Sequence, residues 1–122
     1  MEPIRFHARV IPGRARGRKL GVPTLNFELA DVPAVLDEGL YAGRVTVDGT
    51  THLASIHYGF RPTFDDSKTC EAHLIDITLP SSPAETDVEV IEFLRPITKF
   101  ESAEALAAQM QKDIQKTRVI LS

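Results

Sequence analysis

The sequence predicts an antiparallel β-barrel of five or six strands closed by one C-terminal helix. Three observations carry this. Short β-branched runs bounded by Gly and Pro fill the first ninety-odd residues, which is the punctuation of strands and turns. The last twenty residues switch to helical spacing. No strand–helix–strand alternation occurs, which excludes doubly wound and P-loop architectures. Closure into a barrel would remove exposed strand edges.

Taken in order, "IRFHARVI" reads as a strand stopped by Pro12 and Gly13. The segment "GRARGRKLG" is too rich in glycine and charge for a helix. "NFEL" reads as a brief strand and "ADVPAVLDEG" as a connector. "GLYAGRVTV", Asp48-Gly49 and "TTHLASIHYG" form the clearest hairpin, because Asp-Gly supplies the positive φ angles of a two-residue turn. "FRPTFDDSK" is turn-rich, "TCEAHLIDITL" is a strand, "PSSPAET" a loop, and "DVEVIEFLRP" the last strand, ended by Pro96. Ser102 is the expected N-cap of a helix reaching about Ile120, with Glu104 in its first turn and Lys112, Lys116 and Arg118 toward its end. Ala103, Leu106, Ala107, Met110 and Ile114 share the face expected to pack on the sheet.

The 122 residues suit one domain, 1–122, large enough to bury a core without staples. The net charge of -3 speaks against a general nucleic-acid binder. The single cysteine, Cys70, fits a reducing compartment. The first residues lack an apolar signal-peptide core and no stretch has the length of a membrane span, so a cytoplasmic location is expected.

A basic loop on an acidic body points to a small anionic ligand. Gly13, Gly17 and Gly21 would let backbone N–H groups approach an anion, while Arg14, Arg16, Arg18 and Lys19 neutralise it. The same loop also reads as a surface loop with solvated charges. In "PTLN", Thr24 and Asn26 stand two apart and point the same way in an extended chain. Their oxygens are hard ligands of the kind magnesium accepts alongside water and phosphate; a turn with capping side chains is the plainer reading. Glu71 shares its strand parity with His73, Ile75, Ile77 and Leu79, which places it at the barrel rim or pointing inward. A partly desolvated carboxylate there can act as a general base, or it faces water from an edge strand. His73 reads as structural and Cys70 as a packed thiol. Asp65 and Asp66 fit a metal site or a turn equally well, and Glu85, Asp87 and Glu89 read as solvated.

"GVPTLN", "GFRPTF", "CEAHLID" and "FLRPITKFES" before a terminal helix occur in the order and spacing that resemble the riboflavin kinase family, from about Arg9 to Arg118. The resemblance implies a six-stranded antiparallel Greek-key barrel with a C-terminal helix. It implies Mg2+-dependent transfer of phosphate from ATP to riboflavin, giving FMN and ADP. It also implies roles: Gly13, Gly17, Lys19, Gly21 and Thr24 at ATP, Thr24 and Asn26 at the metal, Glu71 as base, and Arg95, Thr98 and Phe100 near the flavin. Three places depart from the family pattern: Leu25 within "PTLN", His57 where an asparagine is common, and "LPSSPAET" where an aromatic-glycine pair is common. The expected partners are the two small substrates, with no nucleic acid or membrane, and the expected state is a monomer. A non-catalytic flavin- or nucleotide-binding module on the same barrel is the alternative. An RNA-binding barrel is disfavoured by the acidic charge and the lack of an aromatic stacking row.

Overall fold

The structure is a computed structural model that describes residues 2–11, 24–60, 67–75, 77, 79 and 82–121. Six strands form a closed antiparallel barrel in the order β1-β2-β5-β4-β3-β6: β1 Ile4–Ile11, β2 Thr24–Phe27, β3 Gly39–Val47, β4 Thr50–Phe60, β5 Lys68–Leu74 and β6 Glu85–Arg95. Strands β3, β4 and β5 follow one another, and β6 returns to lie beside β3, which is a Greek key. Among the described residues one α-helix, α1, spans Ala103–Leu121, and one short 3-10 helix spans Leu29–Asp31.

The predicted hairpin turn is present. Asp48 has φ 48° and Gly49 φ 81°, and Val47 pairs with Thr50 across them. Ser102 caps α1 as expected, its Oγ accepting the N–H of Ala105 at 3.1 Å.

Alternation along each strand sends one set of side chains into the barrel and the other outside. Leu25 and Phe27 of β2, Ala54 and Ile56 of β4, and Cys70, Ala72 and Leu74 of β5 belong to the interior core. The outer face is not left to water. Met110 and Ile114 of α1 pack on Ile75, with Leu53 against them. Leu40, Ala42 and Leu94 lie under Ile97, Ile120 and Leu121.

Three expectations are corrected. Strand β5 stops at Leu74, short of Leu79, so Ile77 and Leu79 leave its phase and pack against the barrel core instead. Glu71 therefore shares an outer face with His73 and Ile75, and the inward row is Cys70, Ala72 and Leu74. Strand β6 begins at Glu85, because Glu85 and Thr86 pair with Arg9 and Ala8 of β1. Lastly, Glu89 is half-buried and ion-paired with Arg5 and Arg44, whereas Glu85 and Asp87 are exposed as expected, with His7 2.8 Å from Asp87. Facing charges on adjacent strands draw these pairs together.

Candidate active site

The outer face of the barrel collects the residues singled out in the sequence. Thr24 and Asn26 point outward because Leu25 and Phe27 are the inward residues of β2. Asn26 pairs with Glu71, Glu71 with His57, His57 with Leu40, and Leu40 with Arg95. One row therefore crosses five strands as Asn26–Glu71–His57–Leu40–Arg95. At about 4.8 Å per strand, Glu71 and Arg95 stand about 14 Å apart along the sheet. A second row beside it runs Thr24–His73–Ser55–Ala42.

Hydrogen bonds fix these side chains. Thr24 Oγ1 lies 3.0 Å from His73 Nδ1. Thr69, two residues before Glu71 and on the same face, donates its hydroxyl to Glu71 Oε2 at 2.9 Å. The same hydroxyl lies 3.4 Å from His57 Nδ1, and that nitrogen is 4.0 Å from Glu71 Oε2. His57 Nε2 bonds to the Phe60 carbonyl at 3.1 Å. Glu71 is buried at 7% exposure, so its carboxylate sits in a polar pocket largely withdrawn from water. Burial pushes the His73 imidazole below its usual range, against the opposing pull of Glu71. A neutral His73 next to Thr24 is the result.

The far end of the row is built differently. Arg95 forms a two-pronged pair with Asp113 of α1, Nε to Oδ1 at 3.0 Å and Nη2 to Oδ2 at 2.9 Å. Gln109 donates to the same Oδ1. Arg95 also lies over the Phe100 ring, 5.5 Å from its centroid. Thr98 donates to the Pro96 carbonyl and faces solvent. Ile97 packs over Gly59, where an added Cβ would come within 2.3 Å of its Cδ1. The segment from Pro96 to Phe100 is thus pinned beside the end of β4.

The structure brings Thr24, Asn26 and Glu71 together and places Arg95, Thr98 and Phe100 at the other end of the same face. Gly13, Gly17, Lys19 and Gly21 lie outside the described residues, as do Asp65 and Asp66. Two residues of the site were not singled out by their pattern. Thr69 and Asp113 have no local signature, since each is defined by a partner brought in by the fold. His57 was visible only as a departure from the resembled family.

Thr24 and Asn26 offer a hydroxyl and an amide oxygen side by side, next to a carboxylate. Among the described residues no cluster of three His, Cys, Asp or Glu groups forms a metal cage. That donor set fits a magnesium ion that keeps waters and phosphate oxygens in its shell, and it does not fit zinc. No helix among the described residues is long and apolar enough to cross a membrane.

The family model described as riboflavin kinase (flavokinase) matches residues 1–121. The chain is 33% identical to the bifunctional riboflavin kinase/FMN adenylyltransferase of Listeria monocytogenes, over 98% of this chain and 39% of that one. It is 31% identical to the riboflavin kinase of Mus musculus, over 95% of this chain and 79% of that one. The solved riboflavin kinase from Trypanosoma brucei shares the fold, with TM-score 0.64 at 20% identity over 99% of this chain and 81% of that one. A Streptococcus pneumoniae structure titled as a macrolide-efflux protein superposes with TM-score 0.81 at 29% identity, over 95% of this chain and 38% of that one.

Proposed function

This chain belongs to the riboflavin kinase family, and on that premise we propose that it transfers the terminal phosphoryl group of ATP to the ribityl 5'-hydroxyl of riboflavin, giving FMN and ADP. The observation that carries the reading is the pair of neighbouring cross-strand rows. It sets a buried carboxylate between two oxygen donors on one side and an aromatic-cationic anchor on the other.

Phosphoryl transfer is mostly positioning and charge neutralisation. Thr24 Oγ1 lies 3.0 Å from His73 Nδ1, which holds the hydroxyl on the face it shares with Asn26. Thr24 and Asn26 would hold Mg2+, which would neutralise phosphate charge when bound. The glycine loop with Lys19 would wrap the ATP phosphates. Glu71 accepts the proton of the attacking hydroxyl, an otherwise poor nucleophile. Phe100 and Thr98 would lie against the flavin, and Arg95 would hold that segment in place through Asp113. The non-catalytic binding module is not favoured, because a pure binder needs no carboxylate beside two oxygen donors.

The test is direct. The purified chain is incubated with riboflavin, ATP and Mg2+, and flavins are separated by chromatography with fluorescence detection. FMN formation, with an Asn26→Ala variant needing more Mg2+ for the same nucleotide affinity, is the expected result. Flavin binding without FMN would restore the binding-module reading.

A further inference from the structure

We propose that Thr69 and His57 form a proton relay that draws off the proton taken up by Glu71. The proposal rests on the reading of Glu71 as the base and goes beyond it by naming where the proton goes.

Glu71 is nearly sealed before any substrate binds, and a flavin lying along the row would cover it further. A base in that position must hand its proton on before the next turnover. Two histidines lie in neighbouring rows of the same outer face. His73 is engaged elsewhere: its Nδ1 lies 3.0 Å from Thr24 Oγ1. His57 is placed to accept. A carbonyl oxygen can only accept a hydrogen bond, so the Phe60 carbonyl fixes the proton of neutral His57 on Nε2. Its Nδ1 then presents a lone pair toward the Thr69 hydroxyl, 3.4 Å away. Thr69 in turn bonds Glu71 Oε2 at 2.9 Å, and so bridges the 4.0 Å between carboxylate and imidazole.

The bookkeeping closes without a further reactant. The ribityl O–H bond breaks as the O–P bond forms, and the proton arrives on Glu71 Oε2. Glu71 gives it to the Thr69 oxygen while Thr69 passes its own proton to His57 Nδ1. Glu71 is again a carboxylate, Thr69 again a hydroxyl, and His57 an imidazolium with Nε2–H still on the Phe60 carbonyl. The His57 side chain is 13% exposed and releases the proton to water.

The experiment compares wild type with Thr69→Val, His57→Asn, the double variant and Glu71→Gln. Steady-state FMN formation is measured in mixtures of light and heavy water, after thermal melts show which variants are folded. The expected result is a loss of about tenfold in rate for each single variant, a small part of what a general base contributes. The double variant is expected to be no slower than the worse single one, as two members of one path require. A bowed proton inventory in wild type becomes linear in both variants, the KM for each substrate stays within about twofold, and Thr69→Ser restores the bowed curve. A purely structural role for Thr69 would leave the inventory bowed and would overturn the relay. Unchanged rates in both single variants, with Glu71→Gln inactive, would overturn the relay while leaving the base in place. Turnover by Glu71→Gln would remove the base and the relay with it.

Discussion

Asp113→Ala tests what holds the two ends of the site in one body. Asp113 is 3% exposed and accepts three hydrogen bonds, two from Arg95 and one from Gln109. Removing one member of a buried ion pair costs about 3–5 kcal/mol, because the partner charge is left buried. Arg95 keeps its bond to the Pro96 carbonyl and an 18% exposed side chain, so it recovers part of its hydration. The lower end applies, about 3 kcal/mol. For a chain of this length that is a fall of about 10 °C in Tm. The Pro96–Phe100 segment is tied to α1 through the same pair, so the KM for riboflavin should rise more than the KM for ATP. Circular dichroism melts and steady-state kinetics read both effects. Arg95→Met combined with Asp113→Leu should recover most of the lost stability, since a well-packed apolar pair often replaces a buried ion pair at little cost. A Tm for Asp113→Ala within about 2 °C of wild type would refute the clamp, as would a rise in the KM for ATP alone.

Gly43→Ala should cost at least about 2 kcal/mol, within the range for overpacking. Its Cβ would lie 2.2 Å from the Glu89 carbonyl oxygen and 2.7 Å from Ile56 Cδ1, so the β3–β6 backbone would have to move; an unchanged urea midpoint would contradict this. Burial pushes the Cys70 thiol up to about 12, helped by the neighbouring Glu71 charge. A disulfide reagent at pH 8 should therefore leave the folded chain nearly untouched and label it once in denaturant, and fast labelling of the native chain would refute the burial. Imidazole NMR titration should place His7 above the ordinary value of about 6.5, through its bonds to Asp87 and Glu85, and His73 below it, through burial. The two act oppositely on stability: the His7 contribution is lost as pH rises through its raised native value, whereas that of His73 is lost as pH falls below about 6.5, where the unfolded chain takes the proton first. The reverse order of the two titrations would contradict the structure.

The local signals are legible in the chain and the tertiary ones are not. Asp48-Gly49 and Ser102 act within a few residues of themselves, so turn and cap were visible in the chain. Thr24 and Asn26 were legible as a pair because strand alternation alone puts them on one side. The parity of Glu71 was also visible, but not which side of the barrel that parity faces. That is decided when Cys70, Ala72 and Leu74 enter the core and α1 covers Ile75. The end of β5 is not legible because apolar residues at 77 and 79 continue the alternation beyond Leu74. Asp113 reads as one more polar residue of an amphipathic helix. Its partner lies 18 positions earlier, and only the packing of α1 against β3 and β4 brings the two together. The cross-strand row is a matter of register over five strands, and no single segment encodes it.

The proposed function turns on Glu71, held between Asn26 and His57, taking the proton in phosphoryl transfer. The most direct measurement is the rate of FMN formation by Glu71→Gln at saturating riboflavin and ATP-Mg, alongside calorimetric binding of each substrate. kcat should fall at least about a hundredfold, the smaller end of what a general base supplies. Both substrates should still bind within about threefold of wild type, since the amide keeps the shape and an oxygen acceptor for Thr69. Turnover close to wild type, or a loss of rate explained wholly by a loss of binding, would contradict the base role of Glu71.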